Sequence, residues 1–145
     1  MQQIDFDTTL GRYLGRLNTA IAVALSQELQ SAEVEITSDQ FRLLTHLWKE
    51  NGLSQNSLAE RTGRDRGSVT RMLDILENKG ITVRITDKND RRMNIIYLTK
   101  KGEALQTKAV PCAQLVLDKI TQGFGENEQR NFRQYLERAL KNFKE

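Results

Sequence analysis

The chain has 145 residues, 38% of them hydrophobic and 28% charged, with a formal net charge of +3; this suits one compact domain with extensions and excludes a disordered or fibrous chain. A lone Cys112 rules out an intramolecular disulfide, and one cysteine with one histidine, His46, cannot build a zinc site. No apolar run nears the roughly 18 residues of a membrane span and the start of the chain is acidic and polar, so a cytoplasmic protein with no metal, no cofactor and no membrane partner is expected.

Phe6, Leu10, Tyr13, Leu14, Leu17, Ile21, Ala24, Leu25 and Leu29 recur every three or four residues, which predicts a first helix from about Asp7 to Gln30. Thr37 followed by Gln40, with Ile36 and Phe41 on either side, spells a capping box and a hydrophobic staple at the start of a second helix. Phe41, Leu44, Leu47 and Trp48 form its stripe, and Asn51-Gly52 ends it. A short third helix opens at Ser54, with Leu53 and Leu58 as a second staple, and stops at Gly63. The fourth runs from about Asp65 to Lys79, burying Val69, Met72, Leu73 and Leu76, and Gly80 terminates it.

The period then turns from helical to alternating. Residues 81–85, with Ile81, Val83 and Ile85 on one face, and residues 93–98 are predicted strands joined by the polar loop 86–92, a hairpin. Thr99 caps a fifth helix reaching about Gln122, with a kink expected near Ala109 because Pro111 lies inside it. After Gly123-Phe124-Gly125 a sixth helix, about Glu126 to Phe143, carries Phe132, Tyr135, Leu136, Ala139, Leu140 and Phe143 on one stripe. The expected fold is mainly α, an α+β winged helix of six helices and a two-stranded β-wing in the order α-α-α-α-β-β-α-α.

Charge is unevenly spread over this plan. Residues 53–101 hold 11 Lys/Arg against 6 Asp/Glu, a net of +5, and the remainder is net −2, so a polyanion would dock on the middle third. Two short helices, the turn Thr62-Gly63-Arg64 and a third helix read as a helix-turn-helix unit with the hairpin as its wing. Burial of the apolar stripe of the fourth helix turns Gly67, Ser68, Thr70, Arg71 and Asp74 outward, and Arg64 and Arg66 flank its start. Arginine suits guanine, Ser and Thr suit bases or phosphates, and Gly67 lets the helix approach DNA closely. At the wing tip Lys88, Arg91 and Arg92 are expected to touch DNA in a narrow minor groove, and Asp90 to pair with an arginine or cap the turn.

From Ile36 to Gly102 the sequence resembles the MarR family. The matching stretches are Ile36-Thr37 with Gln40-Phe41 and Leu44, Leu58-Ala59-Glu60-Arg61, residues 65–73, Leu76-Glu77 with Lys79-Gly80, Asp87 with Asp90-Arg91-Arg92, and Leu98-Thr99 with Gly102. The resemblance implies an intertwined homodimer, with residues 1–35 and 103–145 as the helical dimerisation region and 36–102 as the winged helix-turn-helix domain. It also implies that the fourth helix enters the major groove, that Arg92 enters the minor groove, and that the protein represses transcription from a pseudo-palindromic operator until a small aromatic or lipophilic anion releases it. Thr82-Val83 departs from the family's usual apolar-charged pair. The reactive cysteine of the family's peroxide-sensing branch is absent from the first helix, and Cys112 reads as a small buried hydrophobe.

Arg12 and Arg16 are neighbours at i, i+4 and could hold an effector carboxylate, with His46 and Trp48 assisting; the alternative is that the two arginines are solvated or bridge subunits and Trp48 is core. Two other functional classes would leave different marks on the sequence. A winged-helix protein-interaction module without DNA binding would expose apolar residues on the fourth helix. An enzyme would need a phosphate loop, a metal cluster or a nucleophile–base pair, and the sequence offers none in recognisable context.

Overall fold

A computed structural model describes residues 3–144. The elements are α1 (Leu10–Ser31), α2 (Ser38–Lys49), β1 (Leu53–Ser54), α3 (Gln55–Thr62), α4 (Arg66–Asn78), β2 (Thr82–Thr86), β3 (Asn94–Leu98), α5 (Lys100–Ile120) and α6 (Glu126–Lys141). Each of the first five helices begins where a side-chain oxygen takes up a free backbone N–H. Thr9 accepts from Arg12 N, so α1 starts three residues later than the apolar spacing predicts. Thr37 and Gln40 form the full reciprocal box at α2, and Ser54, Asp65 and Thr99 cap α3, α4 and α5.

The sheet has three strands rather than two, in the order β1-β3-β2, all antiparallel. Leu53 and Ser54 pair with Ile96 and Ile95, so the start of α3 is hydrogen-bonded to the wing's second strand. The predicted face of β2 also changes. Gly80, at φ 73°, turns the chain so that Ile81 enters the core before the strand begins. Within the strand Thr82 and Arg84 face the protein, and Val83 and Ile85 are exposed. The register Val83↔Tyr97 and Ile85↔Ile95 sets those four side chains on the outer face. Pro111 lies inside an unbroken α5.

One core holds the lobe together. Leu43, Leu44 and Leu47 of α2, Leu58 of α3, Val69, Leu73 and Leu76 of α4 and Ile96 of β3 are all fully buried. Leu25 and Leu29 of α1 join it, with Ala109, Cys112 and Val116 of α5. The N-terminal half of α1 and all of α6 stand outside. No residue of α6 is buried, and Leu10, Tyr13, Leu14, Leu115, Leu117, Tyr135 and Leu140 are each more than half exposed in the single protomer. Leaving this much apolar surface in water is unfavourable at about 25 cal/mol per Å², and such extended patches mark a surface that a partner covers.

A candidate nucleic-acid interface

α4 begins at Asp65, whose carboxylate accepts Ser68 N at 2.7 Å and Ser68 Oγ at 2.9 Å. These two bonds, the backbone one first, hold the Asp65 carboxyl below its ordinary value. Ser68 Oγ in turn accepts Arg71 Nη2 at 3.2 Å. The guanidinium therefore lies folded along the first turn of α4, over Gly67. A Cβ on Gly67 would stand 3.3 Å from Asp65 Oδ1 and 3.4 Å from Arg71 Nη1, so the glycine makes room for this arrangement. Arg66, Gly67 and Arg71 are exposed and Ser68 is half-buried. Ile75 is the one large apolar side chain of α4 that is exposed.

Two of the residues nominated from sequence have partners that the sequence did not reveal. The Thr70 hydroxyl donates to Arg66 O at 2.9 Å and accepts from Gln55 Nε2 at 2.6 Å, which ties α3 to α4. Arg64 precedes α4 and is paired with Asp39 in the first turn of α2, Nη2 to Oδ1 at 2.5 Å. Both ends of that pair remain nearly half exposed, so the side chain can exchange partners at small cost.

Asp74 is engaged too. Its carboxylate and that of Glu77 both bind the Arg84 guanidinium, the latter at 2.7 Å, and Glu77 also accepts Arg84 N at 2.9 Å. Arg84, Gln55 and Asp39 are the functional neighbours that the sequence reading missed. An Arg within a short strand, with two acids one turn apart on the preceding helix, was the available signal for the first, although its inward direction was not legible from the alternation. Gln55 and Asp39 gave no local signal.

The wing tip is closed by Asp87 N to Met93 O at 2.9 Å and Met93 N to Asp90 O at 3.0 Å. Asp90 accepts both Arg92 N and Arg92 Nε at 3.1 Å, so one carboxylate caps the turn and orients the arginine. Lys88 and Arg91 are exposed, and the Arg92 side chain is 91% exposed. Arg92 also lines a cleft of about 170 Å³ with Ser54, Gln55 and Asn56, which brings the wing base beside the N-terminus of α3. Arginines thus project from the start of α4 and from the wing, on a lobe whose sequence is net positive.

The residues nominated for an effector do not converge. Arg12 and Arg16 share an open groove on α1 with Gly11, Gly15, Thr19 and Ala20, and Arg12 Nε donates to Phe6 O. His46 lies on α2 against Arg61 and Lys49, and its pKa is lowered, first by burial and then by those two cations. Trp48 packs edge-on against Phe41 and donates Nε1–H to Gly102 O at 3.0 Å, a core position. Cys112 is buried between α5 and α1, near Glu28 O and Lys108 O, and burial pushes its thiol pKa up, away from thiolate chemistry.

Residues 36–93 match the MarR family profile. The HTH-type transcriptional regulator TtmR of Methylorubrum extorquens (strain PA1) is 39% identical over 77 residues, which are 53% of this chain and 40% of that longer relative. Among solved structures, a mutant MarR from E. coli complexed with operator DNA superposes with a TM-score of 0.86 at 26% identity, over 95% of this chain and 99% of that one. The transcriptional repressor CouR, bound to a 23-mer DNA duplex, gives 0.82 at 25% identity over 97% and 99%. In its winged lobe the chain thus matches the MarR family model, and over nearly its whole length it shares the fold of solved MarR structures.

Proposed function

We propose that the protein is a sequence-specific, double-stranded DNA-binding transcriptional regulator, a repressor that acts as a homodimer. The observation that carries this reading is the first turn of α4, where Asp65 and Ser68 hold an exposed Arg71 beside a glycine. Recognition helices of this type contact base edges with their N-terminal residues. Arg66, Gly67, Ser68 and Arg71 form the base-reading surface, with Arg64 and Thr70 at its margins. Lys88, Arg91 and Arg92 of the wing contact the neighbouring minor groove and backbone. The apolar stripes of α1, α5 and α6 close against a second copy, setting two reading helices about 34–36 Å apart, so the operator is a pseudo-palindrome.

A small lipophilic or aromatic anion releases the DNA by changing the spacing or orientation of the two helices. Arg12 and Arg16 are nominated as carboxylate partners on the α1 groove. A gel shift against the DNA flanking its own gene tests the binding. Arg92→Ala weakens it evenly across sequences and flattens the salt slope by about one. Arg71→Ala instead relaxes preference at particular base pairs by ~1–3 kcal/mol. Equal, sequence-independent losses from both variants would refute the division of labour, and indifference to every duplex at low salt would refute DNA binding.

A further inference from the structure

We infer that Ile75 is a base-reading residue of α4 and that it recognises the C5 methyl group of a thymine close to the base pair that Arg71 contacts. The inference rests on the proposed DNA-binding function and adds a second kind of readout to it. Gly67, Arg71 and Ile75 follow one another at i, i+4, i+8, so they stand on one line along the helix. Arg71 is exposed on that line, and Ile75 remains 44% exposed one turn further on. The buried stripe of Val69, Leu73 and Leu76 lies on the other side of the helix.

The helix itself gives no reason for an isoleucine here. A β-branched side chain forms helix less well than the Arg, Lys, Glu or Gln that suit a solvated position, and its apolar surface gains nothing from water. It is no part of a docking patch either. Its exposed neighbours on α4 are Arg71, Asp74 and Asn78, all polar, whereas a protein partner is held by a contiguous apolar patch. A lone aliphatic side chain among polar readers fits a lone methyl group. In the major groove thymine carries one, beside the base edges that arginine reads.

Charge permits the approach. Asp74, next to Ile75, would repel phosphate, but Arg84 of the wing binds its carboxylate. The spacing then places the thymine. Four residues of α-helix rise about 6 Å and base pairs stack about 3.4 Å apart, so a helix lying along the groove sets Ile75 over a base within about two pairs of the one that faces Arg71.

The test uses the full-length protein and a duplex that it selects from a randomised library. Each thymine of that duplex is replaced in turn by uracil, which deletes the methyl and leaves the hydrogen-bonding edge unchanged, and affinity is read by fluorescence anisotropy. For wild type one thymine per half-site should respond, its replacement weakening binding about fourfold, the contribution of one buried methyl group. It should lie within about two pairs of the base pair at which Arg71→Ala relaxes preference. Ile75→Ala, at an exposed position that leaves the core intact, should bind the thymine duplex about fourfold more weakly than wild type and no longer distinguish thymine from uracil there. Ile75→Val should keep most of the distinction, and both variants should match wild type in circular dichroism. An equal uracil effect in wild type and Ile75→Ala, no uracil effect at any thymine, or a responsive thymine well beyond that spacing would each overturn the assignment while the regulator reading stands. Selection of no duplex at low ionic strength would overturn both.

Discussion

Replacing Arg84 with methionine tests what fixes the wing to the reading helix. The substitution keeps the length of the stem and the backbone N–H that Glu77 accepts, and it removes only the guanidinium shared by Asp74 and Glu77. Breaking a fully buried ion pair costs about 3–5 kcal/mol, whereas an exposed pair contributes about 0–1. The Arg84 and Glu77 side chains are 22% and 28% exposed and Asp74 is 53% exposed, so the structure places this network between those limits, at about 1–2 kcal/mol. For a chain of this size that corresponds to a fall in Tm of roughly 3–6 °C.

Urea unfolding of both proteins at one chain concentration measures the loss. A double-mutant cycle with Glu77→Gln should give a coupling of about 1 kcal/mol. The pH dependence gives an independent check. The hydrogen bond from Arg84 holds the Glu77 carboxyl below its ordinary value. A carboxyl depressed in this way contributes stability at every pH above its unfolded pKa and loses it as pH falls through the folded one. Wild type should therefore lose stability between mildly acidic pH and the region below the ordinary glutamate range, and Arg84→Met should lose less over that window. A loss under about 0.5 kcal/mol, or additivity with Glu77→Gln, would refute the network as the wing's anchor.

Three further perturbations follow from the packing. Gly102→Ala places a Cβ 2.2 Å from the backbone oxygen of Ile81, which cannot swing aside, so a loss of about 3 kcal/mol and a shifted Trp48 emission are expected in denaturation followed by fluorescence. Thr82 is 1% exposed and its hydroxyl finds no partner among the described residues, so the isosteric Thr82→Val should raise stability by about 1 kcal/mol; a neutral or negative change would show that the hydroxyl is satisfied. Leu140→Glu puts a charge on the exposed stripe of α6, and sedimentation equilibrium should report the mass of one chain rather than two while circular dichroism keeps the lobe's helical signal.

Most elements were legible because their signals are local. Thr37 with Gln40, Ser54, Asp65 and Thr99 are caps that any reader can find, and the apolar stripe of α4 repeats at helical spacing. What escaped depends on contacts between distant parts of the chain. β1 is two residues long and exists only because Leu53 and Ser54 meet Ile96 and Ile95, some forty positions on. The inward face of β2 defies its hydrophobicity because two acids on α4 satisfy Arg84, which lets Val83 and Ile85 turn outward. The residue types of the reading surface could be chosen from sequence, but not their occupancy. Thr70 looked free and is held by Gln55, and His46 looked available to Arg12 and Arg16 and lies instead against Arg61 and Lys49.

These attachments constrain how an effector could act. α4 and its C-cap are tied outward at four places: to α3 through Gln55 and Thr70, to β2 through Arg84, to α5 through Lys101 and the carbonyl of Lys79, and to the α1–α2 connector through Lys79 and the carbonyl of Glu35. The first two partners belong to the same lobe and flank the same surface, so α3, α4 and the wing turn together as one body, and bending among them would cost the bonds just described. The last two ties reach beyond the lobe, one to the segment that follows α1 and one to α5, which continues to Ala109, Cys112 and Val116, where it packs with α1. Well-packed bodies do not deform continuously; they shift against one another at interfaces. A change in the distance between two reading helices must therefore arise where the lobe joins α1 and α5. Lys79 and Lys101 stand at that junction, whereas Arg12 and Arg16 lie near the far end of α1.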